Sequence, residues 1–201
     1  IVDYKTGNLG SIHNILKRIG VESVVTSDKD EIARATKLIL PGVGAFNTGM
    51  KNLTELDLIE ILTKKVIDEK TPVLGICLGM QLMSRGSEEG SMAGLGWIDA
   101  ETVRFRFTDS TEYKIPHMGW NFIKQHKTSQ LFDKMYPDAR FYFVHSYFFR
   151  ANDQEDILTS TTYEIEFTSS VERGNILGVQ FHPEKSHKFG MKLLKNFADL
   201  Y

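Results

Sequence analysis

The segment Val73-Leu74-Gly75-Ile76-Cys77-Leu78-Gly79-Met80-Gln81 runs from an apolar stretch straight into a helix-period one. A cysteine stands at the junction, with a glycine two residues to either side. This is the cysteine counterpart of the Gly-x-Ser-x-Gly elbow, in which a buried strand turns sharply into a helix. In so tight a turn, side chains at positions 75 and 79 would collide with neighbouring backbone. The nucleophile is then held in a strained conformation with its sulfur clear of the sheet. At a helix start, unpaired N–H groups and the helix dipole favour a thiolate and lower its pKa. A lone Cys is more often an inert buried residue, and it is the glycine frame that sets Cys77 apart. The frame alone fits a redox thiol as well as a hydrolase.

Working outward, residues 72–76 form a buried strand and residues 78–85 a helix. Upstream, residues 1–4, 22–26 and 37–40 read as strands, the last closed by Pro41-Gly42-Val43-Gly44. Between them, residues 9–19 place Leu9, Ile12, Leu16 and Ile19 on one helical face, and Asp28 with Glu31 marks the start of another helix. Residues 53–68 carry Leu58, Ile59, Leu62 and Val66 on a further helix face. Strands separated by helices imply parallel pairing and a sheet covered on both faces. Downstream the character changes. Residues 102–107 alternate, 140–149 are aromatic and β-rich, and 162–168 with 170–180 suggest a hairpin around Arg173-Gly174-Asn175. Residues 188–200 are an amphipathic helix. The expectation is one α/β domain over residues 1–201, with a largely parallel central sheet flanked by helices and an antiparallel extension.

A thiolate nucleophile needs a base, and the base needs a group that fixes its tautomer. Six histidines are available. His13 and His126 read as solvated, His117 and His145 as core residues in aromatic segments, and His187 as the start of the last helix. His182 follows the buried strand 176–181 and precedes Pro183-Glu184. In an extended segment residues i and i+2 point the same way, so Glu184 reaches back to the imidazole. No Cys or second His stands at metal-ligand spacing.

The 201 residues are 41% hydrophobic and 25% charged with a net charge of −2, which fits a globular chain and gives no support to a nucleic-acid or anionic-membrane surface. No apolar run approaches a bilayer span, and the opening residues read as a strand rather than as a charged-then-apolar leader, any such leader being expected to lie outside this sequence. A single Cys excludes an intramolecular disulfide and fits a reducing cytoplasm.

Taken together these segments resemble the triad-type, class I glutamine amidotransferases, whose signature is a Gly-x-Cys-x-Gly-x-Gln elbow with a distant His-Pro-Glu. Here those are residues 75–81 and His182-Pro183-Glu184. Asp3-Tyr4 with Gly7-Asn8-Leu9, residues 40–46, Pro116-His117-Met118-Gly119-Trp120-Asn121, residues 143–147 and 178–186 are similar to the branch that serves imidazole glycerol phosphate synthase. The resemblance covers the whole chain. It implies that Cys77 attacks the side-chain amide of L-glutamine, that His182 protonates the departing ammonia and then activates water on the thioester, and that Glu184 orients His182. No metal or organic cofactor is implied. An oxyanion hole is implied at the Leu78 N–H together with Val43 or Gly44. Gln81, Glu89, Tyr142, Ser146 and Tyr147 are implied to line the glutamine site, with Glu89 taking the α-ammonium. Free ammonia would protonate in bulk water, so the resemblance also implies a (β/α)8-barrel synthase docked as a heterodimer partner, faced by Asn8, Trp120 and Lys185, in histidine biosynthesis. Lys5 departs from the family, which usually carries Gly there. It leaves open a paralogous glutaminase feeding amidination of surface nucleotide sugars. A thiol peptidase on the same elbow and a catalytically silent synthase-binding subunit are the remaining alternatives.

Overall fold

A computed structural model of the protein describes residues 1–108 and 112–201. In chain order the elements are α1 (Leu9–Arg18), α2 (Lys29–Arg34), β1 (Leu38–Gly42), α3 (Phe46–Glu55), α4 (Ile59–Thr63) running into a π-helical turn (Lys64–Asp68), β2 (Val73–Cys77), α5 (Leu78–Leu82), β3 (Gly86–Ser87), β4 (Ala100–Arg104), β5 (His117–Phe122), β6 (Lys124–Gln125), β7 (Arg140–His145), β8 (Tyr147–Ala151), β9 (Ile157–Tyr163), β10 (Ile165–Arg173), β11 (Ile176–Val179) and α6 (His187–Leu200). The main sheet runs β1-β2-β11-β10-β8-β4-β3, with β9 against β10 and β6 against β9. The block β1-β2-β11 is parallel, and the pairings from β11 through β10 and β8 to β4 are antiparallel. The sheet of this single-domain α/β fold is therefore mixed, with its parallel block carrying the elbow.

Alternation along the parallel strands explains the layering. Leu38, Leu40, Val73 and Ile176 face one apolar cluster, and Ile39, Leu74, Ile76, Leu177 and Val179 face the other. Residues of α2, α3, α4 and α5 fill the first cluster; α1 and α6 fill the second through Ile12, Leu16, Phe189, Leu193, Leu194 and Phe197. Both faces are thus covered, which is why these strands read as unbroken apolar runs.

Several local expectations change. Residues 1–4 and 22–26 are joined by one parallel bridge, Val2 to Thr26, rather than forming long strands. The helix expected over 53–68 begins earlier, at Phe46, and breaks at Asp57, whose φ of 52° is a left-handed conformation that Asp tolerates better than most residues. The elbow helix stops at Leu82 because the Arg85 N–H bonds the Ala100 carbonyl at 2.9 Å and residues 86–87 join the sheet. The β-rich stretch 140–149 divides at Ser146: β7 pairs with β5 in a separate two-stranded sheet, whereas β8 enters the main sheet. The Asp28 cap accepts from the Glu31 N–H at 2.9 Å, and the hairpin around Gly174-Asn175 joins β10 to β11.

Helix α5 lies unusually close to the sheet, and glycines make this possible. A Cβ on Gly79 would sit 1.7 Å from the Leu40 carbonyl oxygen, and one on Gly75 would sit 2.8 Å from the Met80 backbone. Gly75 and Gly178 are register partners across β2 and β11, and Met80 rests over both, 2.6 Å from where a Gly178 Cβ would be. Gly79→Ala must therefore move the helix off the strand. We expect a loss of about 3 kcal/mol or more in urea unfolding, at the upper end of overpacking effects. A loss below about 1 kcal/mol would show that the helix can shift freely, contrary to this packing.

Candidate active site

Sheet register assembles the site. Gly42 at the end of β1 lies opposite Cys77, and Val179 at the end of β11 lies opposite Ile76. The residues that follow β11, Gln180 to His182, therefore pass the nucleophile position. Cys77 has φ 53° and ψ −108°, a left-handed backbone that is strained for any residue but glycine. It is buried, at 7% exposure.

His182 is anchored through its backbone. Its N–H donates to the Tyr142 carbonyl at 2.9 Å, and its carbonyl accepts from Ser186 Oγ at 2.6 Å. The preceding Phe181 stacks on Phe141 with ring centroids 4.0 Å apart. His182 Nδ1 lies 2.8 Å from Glu184 Oε1, with both side chains 1% exposed. The geometry differs from the expected extended segment: Pro183–Lys185 is a 3₁₀ turn opened by Pro183, and the turn returns Glu184 to the ring. With Nδ1–H donating to the carboxylate, Nε2 is left to exchange a proton. It is buried without a partner in hydrogen-bonding geometry among the described residues, while the Cys77 sulfur is near enough to raise its basicity. Burial pulls the His182 pKa down, but the Cys77 sulfur and the Glu184 carboxylate outweigh it and lift the value to about 10.

Of the expected oxyanion donors, Leu78 opens α5, so its N–H has no partner within the helix. Val43 is a correction: its N–H donates to Thr6 Oγ1 at 3.2 Å, and Thr6 Oγ1 donates back to the Val43 carbonyl. Both polar groups of Val43 are occupied, and Gly44, with φ 99°, is the remaining candidate in that loop. The loop carrying Thr6 packs on it through Gly7, whose Cβ would lie 3.2 Å from Pro41. Lys5 in the same loop has φ 63°, a backbone that glycine adopts freely.

Gln81 is 5% exposed, and its Nε2 donates to the Tyr147 carbonyl at 3.0 Å and to Gln180 Oε1 at 3.1 Å. Its amide donors therefore face protein groups rather than an open pocket. Glu89 is exposed, and Oε2 accepts from the Phe46 N–H at 2.8 Å, capping α3 directly after the 42–45 loop. Tyr147 enters through its backbone carbonyl, and the Ser146 carbonyl accepts from the Phe105 N–H at 3.1 Å. Tyr142 does not face the same place as these: its ring meets Trp120 edge-on, with centroids 6.2 Å apart, and Lys185 lies 5.8 Å over it. Trp120, Tyr142 and Lys185 thus form one cluster. Met118, Trp120 and Phe122 are exposed along β5, at 61%, 42% and 60%. Asn8 immediately precedes α1, in the loop that carries Thr6, and its side chain makes no capping hydrogen bond.

Two further residues stand at the site without having been singled out as candidates. Gln180 donates from Nε2 to Cys77 Sγ at 3.6 Å and is fully buried. The Tyr4 hydroxyl is buried with no partner among the described residues, and lies 2.4 Å from where a Gly42 Cβ would be. Burial and the Cys77 charge push its pKa up. The i, i+2 rule for an extended segment, which does not hold between His182 and Glu184, does place Gln180 on the His182 side of the chain. Tyr4 belongs to the Asp3-Tyr4 segment noted in the sequence, but its approach to Cys77 depends on sheet order and has no local signal.

The sequence matches the family of class-I glutamine amidotransferases over residues 1–200. It is 57% identical over 197 residues to imidazole glycerol phosphate synthase subunit HisH 2 of Methanococcus maripaludis, covering 98% of this chain and 96% of that protein. It is 47% identical over 200 residues to the subunit HisH 2 of Pseudomonas aeruginosa, covering 100% and 98%. Among solved structures, one described as a glutamine amidotransferase superposes with a TM-score of 0.72 at 21% identity, covering 98% of this chain and 95% of that one, and shares the fold. With elbow, sheet order and full-length similarity in agreement, the chain belongs to the class-I glutamine amidotransferase family.

Proposed function

We propose that this protein hydrolyses L-glutamine to L-glutamate and ammonia as the glutaminase subunit of an imidazole glycerol phosphate synthase in histidine biosynthesis. The observation that carries the reading is the buried His182–Glu184 pair beside a strained elbow cysteine, in a chain 57% identical to a HisH subunit. In this reading Cys77 Sγ attacks the amide carbon, the amide nitrogen takes the His182 Nε2 proton and leaves as ammonia, and a thioester forms. Water then gives a proton to His182 and its oxygen to the acyl carbon. The C–S bond breaks, the electron pair returns to sulfur, and glutamate departs. Leu78 and Gly44 N–H groups serve the oxyanion, and Glu89, Ser146 and Tyr147 surround the glutamine together with Gln81, which has only its carbonyl oxygen left to offer because its N–H groups are engaged. Glu184 holds the imidazole and keeps its charge favourable.

The ammonia is consumed by a cytoplasmic (β/α)8-barrel synthase docked over the site as a heterodimer. Support comes from the cluster of Trp120, Tyr142 and Lys185 beside the exposed Met118 and Phe122, since aromatic anchors in apolar patches mark binding surfaces. Weak hydrolysis by the isolated chain is expected, because docking can close the site and align the oxyanion donors. A second reading, in which the ammonia serves a different synthase such as one amidinating nucleotide sugars, is favoured only by Lys5. It changes the partner and not the chemistry.

Cys77→Ala is expected to lower glutamine hydrolysis by a factor of about a thousand or more, with the fold and partner binding retained. Residual turnover above that level would refute the nucleophile assignment. Glu184→Gln is expected to leave more activity than His182→Ala, because the orienting group does not carry the transferred proton. It also moves the alkaline limb of activity. A raised pKa means that the imidazolium persists below about 10 and is lost above it, so loss of Glu184 shifts that limb to lower pH. A limb that stays in place, or equal damage from both variants, contradicts these roles. For docking, glutamate release with and without saturating synthase is the measurement. Trp120→Ala should reduce activation or affinity by about tenfold or more, as for an interface anchor, and leave the partner-free rate within about twofold. Normal activation of the variant would remove Trp120 from the interface.

A further inference from the structure

A carboxamide can present either its oxygen or its nitrogen, and its partners decide which. The Tyr147 carbonyl can only accept, and it lies 3.0 Å from Gln81, which fixes that end of Gln81 as NH₂. The second N–H of the same group meets Gln180 at 3.1 Å, which must therefore offer its oxygen. The Gln180 NH₂ is left facing Cys77 Sγ at 3.6 Å, both side chains being buried. The same Tyr147 carbonyl accepts from His145 Nδ1 at 2.7 Å. That leaves His145 Nε2 as acceptor for His117 Nδ1 at 3.0 Å, and His117 Nε2 as acceptor for Asn121 Nδ2 at 3.3 Å. Asn121 Nδ2 also donates to the Thr162 carbonyl at 3.0 Å. Burial keeps both imidazoles neutral near pH 7, so each can accept and donate at once. The chain is fully matched, and none of its members can turn without stranding a buried polar group.

A buried amide aimed at a neutral thiol gains little, since S–H sulfur is a weak acceptor; against a charged sulfur the bond is much stronger. We infer that Gln180 is a further catalytic residue, whose carboxamide N–H holds the Cys77 sulfur and strengthens its grip as the sulfur becomes charged. This rests on the assignment of Cys77 as nucleophile. The bond favours the attacking thiolate, and acts again when the thioester C–S bond breaks and its electron pair returns to sulfur. Other titratable groups at the sulfur are His182, held by Glu184 from the β11 end, and Tyr4 from the first loop; His145 stands behind Tyr147.

Cys77 is the only cysteine, so alkylation by iodoacetamide reports on this sulfur alone. Gln180→Met fills the space without a donor, and Gln180→Glu keeps the oxygen for Gln81 while placing an acceptor on the sulfur. Each is expected to slow alkylation at pH 7 by about tenfold and move its midpoint to higher pH by about one unit, the effect of losing one hydrogen bond to a charged group. The Glu variant should be the more affected. With saturating synthase, kcat for glutamine falls about tenfold and KM stays within about twofold. Wild-type alkylation profiles and kcat in both variants overturn the inference. A folding defect in either is detected by circular dichroism. A measurement on the unaltered chain covers that case: blocking Cys77 should displace the Gln180 side-chain ¹⁵N–¹H resonances, and unshifted resonances overturn the proposal. If Cys77→Ala still hydrolyses glutamine, the nucleophile assignment itself fails; if Cys77→Ala is inactive and the Gln180 variants are normal, only the Gln180 role fails.

Discussion

The seating of a short helix directly on the backbone of the sheet is the constraint from which the rest follows. With Gly79 against the Leu40 carbonyl and Met80 over the Gly75–Gly178 pair, α5 has no room to rise or slide. That seating forces the chain to reverse at Cys77 through a left-handed backbone. The strain is tolerable because three parallel strands and two buried apolar layers determine the positions of both arms of the turn. A conformation that a free chain would abandon is thereby fixed, and the sulfur's direction is set by packing far larger than itself.

The same sheet order brings the other groups in. β11 is last among the strands in sequence yet lies beside β2, so the residues at 180–184 arrive at a centre laid down more than a hundred residues earlier. Electrostatics there are uneven. Glu184 and the sulfur raise the basicity of His182, while its neighbours His145 and His117 are held neutral, at about 3 and about 4, by burial. Of these three imidazoles, only His182 has its pKa raised.

Much of this was legible in the sequence where the signal was local. Gly75, Cys77 and Gly79 announce the elbow through spacing, and His182 with Glu184 through their separation by one stiff residue. The parallel block could be read from its unbroken apolar strands. What escaped depends on contacts between distant segments. The pairing of β5 with β7 left no pattern, because Gly119 interrupts a strand whose outer residues are apolar. The occupation of Val43 by Thr6 joins residues 37 positions apart. Tyr142, expected near the substrate, alternates with residues that point into the core and so turns outward to Trp120. The break at Asp57 shows how a single left-handed residue overrides a helical period that otherwise continues.

The outer row of β5 bears on how the protein is made as well as on what it does. Met118, Trp120 and Phe122 stand exposed on one side of a two-stranded ribbon. Apolar rows of this kind invite association with whatever is near. A cell that produced this chain in excess of what covers that row would carry copies prone to clump or to be degraded.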